Sequence, residues 1–233
     1  MNGVLEALSS PALRLTLEVA ALTTLALMLL APPLAWWLAT TRSRWRGLCE
    51  AIVALPLVLP PTVLGFYLLI LMNPDGVLTR ALGVVGFDGQ LSFSRSGLVL
   101  ASILYSLPFA VQPLVSTFAG VPRALLEAAQ TLGASLPDRF ISVVLPLSRR
   151  GFVTAATLTF AHTVGEFGVV LMVGGNIPGV TQMISVAIFD HVEALEYTQA
   201  HVLSLIMLGF SLGVLTLVYS LQRGISVAGD PRS

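Results

Sequence analysis

The sequence predicts an all-α integral membrane protein with five transmembrane helices and a sixth, shorter membrane-embedded element. Three observations carry this: of 233 residues 55% are hydrophobic, only 10% are charged, and the mean hydropathy is +0.88. Soluble domains carry roughly a quarter of their residues as charges. Here the few charges fall between long apolar runs instead of recurring along helix faces.

A helix crossing about 30 Å of hydrocarbon needs about 20 mostly apolar residues. Residues 15–39, 49–72, 97–119, 152–173 and 200–221 meet that requirement, and residues 176–190 supply the sixth element. Residues 1–10 hold Glu6 and no basic residue. The apolar run after them exceeds the core of about 7–15 residues in a signal peptide, so it reads as a retained first span. The whole chain reads as one transmembrane domain, 1–233, with a long loop at about 120–150.

Short loops rich in Lys or Arg stay on the cytoplasmic side. Arg42, Arg44 and Arg46 follow the first span, Arg123, Arg139, Arg149 and Arg150 the third, and Arg223 and Arg232 the fifth. The opposite side keeps Arg14, Arg80 and Arg95, and its last loop holds Asp190, Glu193 and Glu196. The expected topology therefore has the N-terminus outside and the C-terminus in the cytoplasm. A sixth full crossing would conflict with it, so the sixth element is expected to be re-entrant or peripheral.

All 12 basic residues are arginines. Without lysine there is no standard P-loop to hydrolyse ATP and no Schiff-base chemistry. Cys49 stands alone, and His162, His191 and His201 show no ligand spacing, so neither a metal site nor a cofactor is expected. No catalytic residue is assigned: a membrane-embedded hydrolase needs a nucleophile and base on adjacent spans, and no such set is legible. A secondary transporter built from repeats would show two related halves, and none is visible. A net charge of +0 argues against a nucleic-acid partner; the partner on most of the surface is the lipid bilayer.

Prolines puncture the first three spans: Pro32 and Pro33, then Pro56, Pro60 and Pro61, then Pro108 and Pro113. Each removes a backbone donor, which membrane helices tolerate where neighbours satisfy the freed carbonyls. Static kinks that shape packing and a moving gate are both open readings.

The loop at 120–150 reads as two short helices around a glycine. Pro122 suits a first helical position and Ala124 to Leu132 are mostly strong helix formers. Gly133 permits backbone angles closed to other residues. Ser135, Pro137 and Asp138 supply a new cap, a first-turn proline and a first-turn carboxylate. The second helix should begin there, continue through Arg139 to Leu145 and stop at Pro146. Its apolar residues, at a cytoplasmic surface, need a partner.

Glu127-Ala128-Ala129, three residues, Gly133, nine residues, Val143, one residue, then Leu145-Pro146 resembles the EAA loop of ABC importer permeases, with Val143 where that pattern has Ile. The resemblance implies the type I ABC importer permease fold and makes this loop a coupling helix seated on an ATPase subunit. Ala128, Ala129 and Gly133 offer a low surface for close approach, and Glu127 a carboxylate for charged hydrogen bonds.

The fourth span contains Gly165-Glu166-Phe167-Gly168. A carboxylate in a span is a functional candidate, although Glu166 cannot itself attract an anion. It reads either as a structural acceptor or as part of a gate or translocation path, with the glycines allowing close approach of another helix. His162 reads as a hydrogen-bonded packing residue in preference to a ligand. Asp190, Glu193 and Glu196 read as a solvated face or a dock for a soluble protein, a dock that Arg80 and Arg95 could also serve.

Ala161 through Gly168, Asn176-Ile177-Pro178-Gly179 and Ser185 through Asp190 look like the molybdate permeases, with tungstate and sulfate permeases as relatives. What this implies is inward transport of molybdate, or alternatively of tungstate or sulfate, in a bacterial inner membrane. It also implies a homodimer of permeases, two ATP-binding cassette ATPase subunits on the cytoplasmic side and an extracytoplasmic oxyanion-binding protein.

Overall fold

The computed structural model describes residues 10–84, 86 and 89–227; Glu6 and Arg232 lie outside them. Every regular element described is helical. Helix α1, Pro11–Thr40, starts on Ser10, whose hydroxyl accepts from Leu13 N at 3.2 Å. Proline in its first turn costs nothing, because the missing donor had no partner there.

The second expected span is divided into α2, Arg46–Val58, and α3, Pro61–Met72, bent by 111°. Pro56, Pro60 and Pro61 together remove three donors within two turns, and Pro60 forces Leu59 into extended geometry at φ −70, ψ 137. The prolines of the first and third spans have no such effect. Pro32 and Pro33 sit inside α1, and Pro108 and Pro113 inside the unbroken α5, Arg95–Ala119. α1 and α5 pack on each other along their length through Leu27, Ala31, Ala35, Ala110, Val111 and Leu114, so the helical path is held from both sides. The small alanines among these let the backbones approach closely.

The short helix α4, Val77–Val84, precedes α5, and the loop at 120–150 follows it. α6 is Arg123–Thr131 and α7 is Leu136–Arg139. Two expectations need correcting. Pro122 is the residue before the helix, with extended angles, not its first residue. Pro146 does not end the second helix: a π-helical stretch, Phe140–Val144, leads into α8, Leu145–Leu147, which contains it. Leu145 N–H bonds Phe140 O, five residues back. The widened turn relieves the clash a proline ring makes with the preceding turn.

The fourth span is also broken, by 62°, into α9, Arg149–Val164, and α10, Gly168–Gly174. Here no proline is responsible. α11, Ile184–Glu193, is the short sixth element, packed on α1 and α12. α12, Tyr197–Val227, is the last long helix, with Leu205, Leu208 and Leu212 exposed. Three helices are long and apolar enough to cross a membrane alone, and five spans result if each bent pair is one.

Candidate functional site

The break in the fourth span places Glu166 between helices. Gly165 N still bonds Ala161 O, and Leu171 N bonds Phe167 O on the far side. Between them the chain turns through Phe167 at φ −129, ψ −65. Glu166 is 3% exposed. Its Oε2 accepts from Ser102 of α5 at 2.7 Å, and its backbone carbonyl, orphaned by the break, accepts from Ser185 of α11 at 2.6 Å. Its Oε1 is buried without a partner among the described residues.

One turn along α5, Ser106 lies 2.8 Å from His162 Nδ1 and 2.9 Å from Thr163 Oγ1. The imidazole stacks on Phe109, ring centroids 4.0 Å apart, and is tilted against Tyr105 at 4.7 Å. His162 is therefore hydrogen-bonded and packed, as its place on an apolar helix implied. It is also half-exposed to a cavity.

That cavity, about 550 Å³, is walled by Pro61 and Thr62 from the break of the second span, Tyr105 from α5, and His162, Glu166 and Phe167 from the fourth. The two breaks meet here. A methyl group on Gly168 would lie 2.8 Å from Pro61 Cβ, and one on Gly65 2.7 Å from Met172 Cβ. Glycine at 65 and 168 is thus what lets α3 lie against α10. Gly165 is different: a methyl there would meet only carbonyls of its own helix at 3.7 Å or more. Phe167 rests on Phe189 of α11 at 5.2 Å.

The loop residues are spread over one external surface. Glu127, Ala128, Gly133, Leu145 and Pro146 are exposed, while Ala129 and Val143 are half-buried. Gly133 has φ +83, which only glycine adopts cheaply. Ser135 and Asp138 form a reciprocal cap, and these hydrogen bonds from the Ser135 hydroxyl and backbone N–H hold the Asp138 carboxyl below the usual carboxylate range. The loop is anchored by Phe140, whose ring meets Trp36 at 5.7 Å and Phe118 at 5.8 Å.

In the other loop region, Asp190 accepts from Gln182 at 2.8 Å as well as from Asn176, and Glu196 lies 2.7 Å from His191 Nδ1. Arg95 bonds Gly179 O at 3.0 Å and lies 3.9 Å from Glu18, whereas the contact of Arg80 with Asp75, at 3.7 Å, is exposed.

Sequence reasoning passed over Ser102, Ser106 and Ser185. For Ser102 and Ser106 a signal was present, though it does not name their partners: serines four apart share one face of a helix, and small hydroxyl residues inside apolar spans bond across helices.

Between residues 31 and 227 the chain matches the family described as binding-protein-dependent transport system inner membrane component. It belongs to that family. Among relatives of this inner-membrane component, the molybdenum transport system permease protein ModB of Azotobacter vinelandii is 58% identical over 91% of this chain and 93% of its own length. ModB of Haemophilus influenzae is 36% identical over 78% of this chain and 79% of its own. A probable sulfate transport system permease of Chlorella vulgaris is 33% identical over 80% of this chain and 70% of its own. The fold is that of a bacterial alginate ABC transporter solved with its alginate pentasaccharide-bound periplasmic protein: TM-score 0.75, 19% identity, covering 92% of this chain and 78% of that one. Such permeases contribute the membrane passage and leave ATP hydrolysis to a separate subunit.

Proposed function

We propose that this chain is the membrane-spanning permease of an ABC importer that carries molybdate inward. The observation that carries the reading is the 58% identity to a molybdenum permease over 91% of the chain. Two copies would form the passage, with two ATPase subunits on the cytoplasmic side and an extracytoplasmic oxyanion-binding protein on the other, the N-terminus lying outside.

In this reading the segment from Glu127 through Ala128, Ala129 and Gly133 to Val143, Leu145 and Pro146 couples the permease to the ATPase. What supports it is an exposed apolar surface, Leu125, Leu132, Leu136 and Ile141, on a loop with four arginines that favour the cytoplasmic side. Gly165, Glu166, Phe167 and Gly168 form the gate region of the path. They are supported by the meeting of two broken spans at a cavity, the setting in which irregular backbone is tolerated at membrane depth.

The test is reconstitution in proteoliposomes with the ATPase and, in turn, molybdate, tungstate and sulfate binding proteins. Molybdate uptake that depends on ATP and on the molybdate binding protein is expected. Stimulation by the sulfate protein alone would replace molybdate with sulfate.

A further inference from the structure

Hydrogen-bond direction settles the state of one ring in the cavity wall. Thr163 Oγ1 donates to Thr159 O at 2.9 Å, which uses its only proton. Ser106, 2.9 Å away, must then donate to Thr163, and that uses its own. His162 Nδ1, 2.8 Å from Ser106 Oγ, is left to donate. All three contacts are hydrogen bonds at once only in this direction. The imidazole thus carries its proton on Nδ1. Nε2 has no hydrogen-bond partner among the described residues; it is a bare acceptor on the neutral ring and a donor only on the cation.

The ring faces of Phe109 and Tyr105 that hold the imidazole are surfaces a cation favours. No arginine lines this cavity. A tetrahedral oxyanion offers acceptor oxygens and therefore asks its wall for donors.

Resting on the reading of this chain as an oxyanion permease, we propose that the cavity is a transit site for the oxyanion, met by the Nε2–H of a protonated His162, with the hydroxyls of Thr62 and Tyr105 donating beside it. His162 takes its second proton from the water-filled path as the anion enters and returns it as the anion leaves. The titratable groups at the wall are Tyr105 from α5 and His162 and Glu166 from the fourth span; α3 and α10 contribute none. The site need hold the anion only weakly, since a passage must release what it holds.

The experiment uses the full chain in proteoliposomes with its ATPase and binding protein, reading molybdate uptake per ATP hydrolysed across pH. His162→Phe keeps an aromatic ring against Phe109 but has no donor, and loses about tenfold or more, the loss of one charged hydrogen bond. His162→Arg supplies a permanent donor. It stays within about threefold of the parent and does not respond to pH, whereas parental uptake falls as pH rises. Ser106→Ala lets the neutral ring hold its proton on Nε2, which flattens the pH response. Parental efficiency in His162→Phe, or equal losses in His162→Phe and His162→Arg, would overturn the site. Absence of any oxyanion uptake by the parent chain would instead overturn the functional reading.

Discussion

Residues 120–150 and residues 161–185 are both built from short helices joined at irregular turns, but their hydrogen bonds run in opposite ways. In the first stretch the polar contacts are local: Ser135 with Asp138, and Arg139 with Gln130 at 2.9 Å. Its tertiary hold is apolar, through Phe140 and the buried Val144 with Val121, Leu126 and Val143 beside them, and Leu132 is left 88% exposed. In the second the bonds reach far along the chain, from Ser102 to Glu166 and from Ile184 N to Thr16 Oγ1 at 2.9 Å. A locally bonded segment keeps its own shape while its surface stays open to a partner. A segment bonded to distant helices has its shape set by the bundle, so a change in it is felt through the bundle.

The largest expected effect comes from filling the contact between the two breaks. Gly168→Leu adds a branched side chain where even a methyl group would sit 2.8 Å from Pro61 Cβ. Overpacking of this kind costs about 1–3 kcal/mol or more, so folded yield in detergent, thermal stability and uptake should all drop. An unchanged unfolding temperature would mean that α3 and α10 do not meet there. Glu127→Arg and Gly133→Val should separate the two regions: uptake falls about tenfold in both, while the isolated permease unfolds as before in Glu127→Arg, an exposed position, and Gly133→Val adds only the local strain of a branched residue at φ +83. Normal uptake in both variants removes the coupling role.

A smaller effect is expected for Ser102→Ala, which leaves Glu166 Oε2 buried without a donor at a cost of about 1–3 kcal/mol. Thermal unfolding in detergent reads it, and Ser102→Thr should restore the parental value. The smallest effect belongs to the loop cap. Asp138 titrates below its ordinary value through its hydrogen bonds to Ser135. Its contribution is therefore complete above the unfolded-state pKa of about 3.9 and is lost as pH falls through the folded-state value. Relative to the intrinsic rate at each pH, amide exchange in Leu136–Arg139 should quicken at low pH without a change in the unfolding of the bundle. Asp138→Asn should show the quick exchange already at neutral pH.

The apolar runs and the arginine distribution were enough to read five spans, because lipid leaves a span almost no compositional freedom. Gly133 and the Ser135 cap were legible for the same local reason: each is a backbone requirement that one residue type meets. The breaks were not. Pro32 with Pro33 and Pro60 with Pro61 look alike in sequence, and only the packing of α1 on α5 separates an intact helix from a bent one. At Glu166 the residue stood out, but its partners Ser102 and Ser185 come from elsewhere in the chain, and spacing along one helix cannot identify them.

The two broken spans stand differently in the order in which a ribosome delivers them. α9 and α10 emerge after α5, so the serine that satisfies Glu166 is already made when the second break reaches the membrane. α2 and α3 emerge before both α5 and α10, the helices they pack on. The first break must therefore wait for those neighbours: α5 is complete about fifty residues later and α10 about a hundred residues later, the latter roughly 5–20 s at 5–20 residues per second. Until α5 emerges, α1 is the partner of α2 already in place.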